Sequence, residues 1–465
     1  MISFSTLDII IILTFFIAVM IVGFIPTFKK EKNAENYLLS GRKVGLILFI
    51  LTNVATWYGG ILGVGEFTYR YGLVSWFTQG LPYYFFAFIF AIVLAPKISK
   101  TSMFTIPEKI GSVYGEKIGL ISALLIFILV SPAPYLLMIA NLISLIFGID
   151  TLPALFAGLI ISIAYLFKGG YKSDLYTDAL EFFIMFAGFA ILFFVSSSTT
   201  GGYDFLESNL PSDHLSLTGN TSVTFLIVWF LIALWTFTDP GFHQRCYAAR
   251  TPNVAKYGIL ISIILWAVFD FLTTSTGLFA RAVLPNLNNP VLAFPLLAER
   301  VLGSGFKGIF YAALFATILS TLNSFLFLSA TTISRDFIWK VKRDKSDEKL
   351  IKYTRIGLFL TGIISLLLAY SIQSVIEIWY TIGSICIPGI ILLVFSSYFE
   401  KIRISKHIAI YETLAAVASS LIWLLIRTNV TLHGWLGEIE PMIIGMLFAS
   451  TVHIYGLSKR KTIAL

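Results

Sequence analysis

Thr317, Ser320, Thr321 and Ser324 lie at i, i+3, i+4 and i+7 within a largely apolar stretch. On a helix, that spacing puts four hydroxyls on one face. Hydroxyl oxygens are hard donors suited to a small hard cation such as sodium, whereas sulfur or imidazole would suit softer metals. The same pattern also serves helices that pack through small polar residues, or hydroxyls that bond back to their own backbone. A second stretch could complete such a site. Leu51 to Phe67 reads LTNVATWYGGILGVGEF, with Gly59, Gly60, Gly63 and Gly65 inside seven positions. Each interior glycine weakens a helix by about 1 kcal/mol relative to alanine. In hydrocarbon, an unwound helix persists only where its freed carbonyls face protein, a cavity or an ion. Asp270, in the middle of another apolar run, is a third candidate. It could bind a substrate amine, carry a proton, or bond to a neighbouring Ser or Thr.

Other chemistries are poorly supported. Cys246 and Cys386 are too few for a disulfide framework, and the five histidines have no metal-ligand spacing. No cluster of acids, histidines or arginines suggests catalysis, so neither an enzyme nor a cofactor is expected, and sodium is the only metal anticipated. Glu66, Asp239 and Glu377 fall near helix ends, where solvated or gating roles are expected.

These residues must be positioned by membrane helices. The chain has 465 residues, 57% hydrophobic and only 12% charged, too little charge to cover a soluble surface. Apolar runs of roughly 20 residues recur along it, each long enough to cross about 30 Å of hydrocarbon. The shorter alternating segments of a transmembrane β-barrel are absent. The expectation is an all-α polytopic membrane protein with about thirteen spans: 6–28, 44–66, 73–95, 118–147, 151–168, 177–197, 222–243, 255–281, 305–333, 353–372, 375–398, 406–427 and 438–458. With the N-terminus outside and the C-terminus inside, 28 of the 33 Lys and Arg fall on the inside, including Arg245 as a loop charge. That asymmetry is the positive-inside pattern. It explains the net charge of +8 by topology, without nucleic acid as a partner.

The spans divide into two fives of opposite direction, the arrangement of inverted repeats in secondary transporters. Residues 44–198 and 222–398 form the two halves. Residues 1–43 supply an extra N-terminal helix and the first inside loop, 199–221 an outside loop, and 399–465 two C-terminal helices and an inside tail. The first helix of each half is irregular: the glycines interrupt one, and Asp239-Pro240-Gly241 interrupts the other.

Three stretches resemble the sodium:solute symporter family, which includes sodium-coupled proline, sugar, pantothenate and sialic acid carriers. They are Asn36-Tyr37-Leu38-Leu39-Ser40-Gly41-Arg42 before the glycine-rich helix; Asp239-Pro240-Gly241-Phe242-His243-Gln244-Arg245, with Ala248-Ala249-Arg250 after it; and Ala312 to Ser324, running to Ser334-Arg335-Asp336. The resemblance implies a leucine-transporter-type fold of two inverted five-helix repeats. It also implies sodium-coupled uptake by alternating access, in a plasma membrane, expected to be a bacterial inner membrane.

The family's main sodium site takes two carbonyls from the broken helix, and one carbonyl and two hydroxyls from the later span. The matching positions are Ala55 and Tyr58, then Thr317, Ser320 and Thr321. Thr317 stands where alanine is usual, which is tolerable because only its carbonyl is needed. A second sodium in some members would fall on Asp178, Asn323 and Ser324. Asn323 departs from the usual serine, and Asp178 with Glu181 also reads as a capping box at a helix start. By the same resemblance Trp57, Leu62, Gln79, Trp235 and Thr236 face the solute, with Asp270 as a further candidate. The polar set of sugar carriers, the span-4 arginine of sialic acid carriers and the broken-helix aspartate of proline carriers are missing. A small amino-acid-like or other compact solute fits best. A sugar or organic acid, or a sodium-independent uniporter or channel of the same fold, are the alternatives.

Overall fold

The computed structural model describes residues 2–28, 31–341, 346–372 and 375–463, without the side chains of 375–380 and 460–463. Glu377 therefore lies outside the described side chains. Among the described residues there is no strand, only an isolated bridge between Val44 and Ala249. The spanning helices are α1 (Thr6–Phe24), α2 (Leu46–Ala55), α3 (Ile61–Tyr71), α4 (Leu81–Val93), α5 (Glu116–Leu129), α6 (Ala133–Phe147), α7 (Thr151–Gly169), α8 (Tyr171–Thr200), α9 (Val223–Ile232), α10 (Pro240–Ala248), α11 (Pro252–Val283), α12 (Phe306–Thr331), α13 (Asp347–Ser371), α14 (Val375–Cys386), α15 (Ile391–Tyr398), α16 (Lys406–Asn429) and α17 (Pro441–Ile463).

Eleven continuous segments among these residues are long and apolar enough to cross a membrane, and the bent pair Leu46–Tyr58 and Ile61–Tyr71 makes a twelfth. The remaining expected span, 375–398, is divided into α14 and α15. Pro388 lies between them, where a missing donor interrupts helical bonding.

The centre of the molecule is α12, buried along nearly its whole length. Its most extensive partner is α8. The first turn of α12 is fixed by α1: Asp8 Oδ1 accepts from the amides of Gly305 and Gly308, both at 2.8 Å. A carboxylate at a helix N-terminus satisfies free donors and complements the dipole. The extra N-terminal helix thus helps to hold the register of the hydroxyl-bearing helix.

The start of α8 differs from the expectation. The helix begins at Tyr171, after Gly170 at φ +60°, so Asp178 and Glu181 lie two turns inside it. The capping-box reading of that pair is therefore overturned. Arg245 is also not a loop charge: it sits within α10 and is 2% exposed.

Candidate ion and solute sites

Between α2 and α3 the chain tightens into a 3-10 turn over Thr56–Tyr58 and then passes through Gly59 and Gly60. The segments on either side are bent by 58°. The helix therefore breaks just before the glycines. Gly63 and Gly65 remain in regular helix, and Gly65 makes room for the ring of Phe294, which a Cβ there would approach to 2.8 Å.

At the break, α12 comes close. Ser320 Oγ donates to the Ala55 carbonyl at 2.8 Å and lies 3.2 Å from the Thr317 carbonyl. Thr321 Oγ1 donates to the Thr56 carbonyl at 2.9 Å. All of these residues except Thr56 are buried. A Cβ on Gly59 would lie 2.4 Å from that of Thr321, so the contact requires glycine on the side next to Tyr58. Of the expected set, Ala55, Thr317, Ser320 and Thr321 meet here, and the second carbonyl that α12 meets is that of Thr56 where Tyr58 was expected. The Thr317 hydroxyl bonds back to Ala313 at 2.6 Å, leaving its carbonyl as the contribution to the site. The Tyr58 hydroxyl turns to the Trp266 carbonyl at 3.0 Å. The arrangement brings two hydroxyls and the carbonyls of Ala55, Thr56 and Thr317 together, all hard oxygens without net charge.

The second expected set does not converge on a free space. Arg245 Nη2 lies 3.4 Å from both Asp178 Oδ2 and Ser324 Oγ. Asn323 turns its amide nitrogen to the Tyr165 hydroxyl.

Of the residues expected to face the solute, Trp57 has the fullest surroundings. Its ring meets Tyr83 at 5.2 Å, Phe242 at 5.3 Å and Trp266 at 5.1 Å between centroids. No spacing in the sequence marks Tyr83, Phe242 or Trp266 as partners of Trp57, because aromatics in membrane spans are too common to stand out. Leu62 is buried in the first turn of α3, and Thr236 is buried in the 3-10 stretch Ala233–Thr238. The ring of Trp235 faces Gly383, where an added Cβ would stand 2.5 Å from it. Gln79 ends the short helix Val74–Gln79, beside Gly80. A Cβ on Gly80 would lie 3.0 Å from Asp270 Oδ2. Asp270 accepts from the Tyr84 hydroxyl, so the side chain bonded to it is a phenol, where a Ser or Thr was one of three alternatives. Near helix ends, Asp239 caps α10 and Glu66 pairs with Arg70 at 2.9 Å.

Two cavities of about 20 Å³ each flank α10, one of them lined by Asn53, Thr56, Trp57, Asp239, Arg245 and Ser324. Each has room for about one water.

The family model of the "Sodium:solute symporter family" matches residues 37–406. The chain belongs to the sodium:solute symporter family. It is therefore an integral membrane transporter and not an enzyme. It is 24% identical over 459 residues to a high-affinity choline transporter of Caenorhabditis elegans, covering 90% of this chain and 77% of that protein. It is 25% identical over 465 residues to the osmoregulated proline transporter OpuE of Bacillus subtilis, covering 94% and 92%. A solved Na+-coupled sialic acid symporter in a substrate-bound outward-open state superposes with a TM-score of 0.84 at 18% identity, covering 98% of each chain. This likeness shows that the symporter has the leucine-transporter-type fold.

Proposed function

We propose that the chain couples inward sodium movement to uptake of a compact organic solute carrying an ammonium group. The observation that carries the sodium reading is the pair of bonds from Ser320 and Thr321 to the carbonyls of Ala55 and Thr56, inside a buried break. A sodium ion inserted there would receive the hydroxyl oxygens and the freed carbonyls together, with Tyr58 and Thr317 adding theirs. Binding would tie α12 to the broken helix and bias the outward-open state. Solute binding, rocking of one half (44–198) against the other (222–398), and release inside follow by alternating access. Each sodium entering gains about 2.3 kcal/mol per 100 mV, plus its concentration term. The basic-residue asymmetry supports an N-terminus outside, a C-terminus inside and a plasma membrane location. A second sodium at Asp178, Asn323 and Ser324 would compete with Arg245, so the reading assigns one sodium, at the main site.

The solute reading rests on Trp57 with Tyr83 and Trp266, and on Asp270 nearby. Aromatic faces attract organic cations by about 0.5–2 kcal/mol, and a carboxylate in a span is a functional feature by default. The choline and proline relatives are named for solutes with an ammonium nitrogen. A sugar or organic acid suits this set less well, since the arginine at the break, Arg245, is already committed to Asp178.

Proteoliposomes tested with labelled choline, proline, glucose and sialic acid, with and without a sodium gradient, decide between these readings. Sodium-driven uptake of an ammonium solute is expected. Ser320→Ala should raise the sodium needed for half-maximal uptake about tenfold, equivalent to about 1.4 kcal/mol. Uptake indifferent to sodium would establish the uniporter or channel alternative. Trp57→Ala should weaken solute affinity about tenfold while leaving sodium-induced thermal stabilisation in place.

A further inference from the structure

The polar lining of one cavity beside α10 consists of Asn53, Thr56, Asp239, Arg245 and Ser324, with the rings of Trp57 and Phe242 among them. Four of these polar side chains are engaged. Arg245 donates to Thr52, Thr56, Gly241, Asp178 and Ser324. The Thr56 hydroxyl donates to the Thr52 carbonyl. Ser324 Oγ donates to Asp174 Oδ2 at 2.7 Å, and Asp239 Oδ1 accepts from the Phe242 amide at 2.8 Å. Asn53 is the exception. It is 2% exposed, and neither its amide nitrogen nor its amide oxygen has a partner among the described residues. A buried polar group left unpaired costs about 1–3 kcal/mol. The amide is satisfied by a group that both accepts and donates.

The position of Asn53 ties it to the rings around Trp57. Gly258 packs against the Phe49 ring and Gly277 against Thr68, so α11 runs parallel to the broken helix α2–α3. Trp266, whose ring centroid is 5.1 Å from that of Trp57, stands level with it. Asp270 lies one turn further along α11, and Asn53 one turn earlier on α2. The two therefore flank the rings from opposite sides. A solute with its ammonium group against the rings on the Asp270 side turns its other end to Asn53. A carboxylate is poorly suited to that end. It accepts without donating, which leaves the Asn53 amide oxygen unpaired, and it would share the cavity with the carboxylate of Asp239. Arg245, the cation of that lining, is already bonded. A hydroxyl both donates and accepts, and a cavity of about 20 Å³ has room for one group the size of a water.

We infer that Asn53 is a specificity-determining residue of the solute site, which reads a hydroxyl at the end of the solute opposite its ammonium group. The inference rests on the ammonium reading above and narrows it to amino alcohols.

The test titrates purified full-length protein, in saturating sodium, with small ammonium compounds and reads affinity from thermal stabilisation. Choline and ethanolamine carry the hydroxyl. Ethyltrimethylammonium and ethylamine lack it, and betaine and glycine carry a carboxylate in its place. In whichever series binds, methylated or unmethylated, the hydroxyl compound should bind at least about tenfold tighter than the other two, as expected where a buried amide is otherwise left unpaired. Asn53→Leu, of similar volume, should remove that preference. If this variant does not fold, Asn53→Ala takes its place, and the wild-type ratio is a test in its own right. Equal wild-type affinities with and without the hydroxyl would mean that water fills the cavity. That result, a preference for the carboxylate, or a hydroxyl preference that survives in the variant would overturn the inference and leave the ammonium reading standing. If none of these compounds stabilises the protein, the ammonium reading falls and the inference with it.

Discussion

The two broken helices of this chain have similar interruptions and opposite ways of satisfying them. The break between α2 and α3 is bent by 58°, and its carbonyls are met from another helix, by Ser320 and Thr321 of α12. The break between α9 and α10 is satisfied from within its own chain. Asp239 Oδ1 accepts from the Phe242 amide at 2.8 Å, and His243 Nε2 lies 3.0 Å from the Phe237 carbonyl. The ends of the two helices are tied together: the Val44 amide donates to the Ala248 carbonyl at 3.1 Å, and the Arg250 amide donates to the Val44 carbonyl at 2.9 Å. A break closed by neutral hydroxyls of a neighbour can open to admit an ion, because those oxygens can accept a cation as readily as they donate to a carbonyl. A self-capped break has no such exchange to make. On the proposed reading the first is a binding element and the second a self-capped corner.

Gly59→Ala should break this contrast most severely. The backbone there, at φ −53°, suits any residue, so the effect is purely one of space. A Cβ 2.4 Å from that of Thr321 must push α12 from the break, at a cost of about 1–3 kcal/mol. Sodium-driven uptake in proteoliposomes should fall to background while the protein still reaches the membrane. Uptake at wild-type levels would mean that α12 need not touch the break. Asp239→Ala probes the other side with a smaller effect. Loss of the cap should cost about 0.5–2 kcal/mol and lower the melting temperature, while the half-saturating sodium concentration stays within about twofold. A large rise in that concentration would make the second break part of the ion site.

The position of each break was legible in the sequence, at the glycines of the first and at Asp239-Pro240-Gly241 of the second, and the partners around each were not. The hydroxyl row on α12 and the glycines at 59 and 60 are local signals, and a helix period or a propensity is enough to read them. The glycines at 63 and 65 misled because the same residue serves both unwinding and close packing, and only the ring of Phe294 shows which. Arg245 looked like a loop charge because a basic residue near a span end is nearly always one. Its burial depends on Asp178 and Ser324, which are 67 and 79 positions away. Asp178 and Glu181 misled similarly, since an acidic pair near an expected helix start reads as a cap until the true start at Tyr171 is known. The aromatic partners of Trp57 come from three separate segments, and no spacing rule links them.

The smallest test concerns what holds α12 in register opposite the first break. Lys307, in its first turn, donates to Glu299 Oε2 at 2.7 Å, and Ser3 donates to Oε1 at 2.9 Å. Burial alone would push the Glu299 carboxyl up, but the hydrogen bonds from Lys307 and Ser3 outweigh it and hold the group below the usual glutamate range. A carboxyl lowered in the folded state contributes stability that is complete above its unfolded value and is lost as pH falls through the folded one. The melting temperature of Glu299→Gln should therefore lie slightly below that of the wild type at neutral pH, by no more than the effect of about 1 kcal/mol expected of a partly exposed pair. The gap should begin to close near about pH 4, where the unfolded glutamate takes up its proton, and be gone once pH has fallen below the lowered value of the folded state. A gap that persists in acid would mean that the contact acts through packing. Register at the first break would then depend on Asp8 and the amides it caps more than on this ion pair.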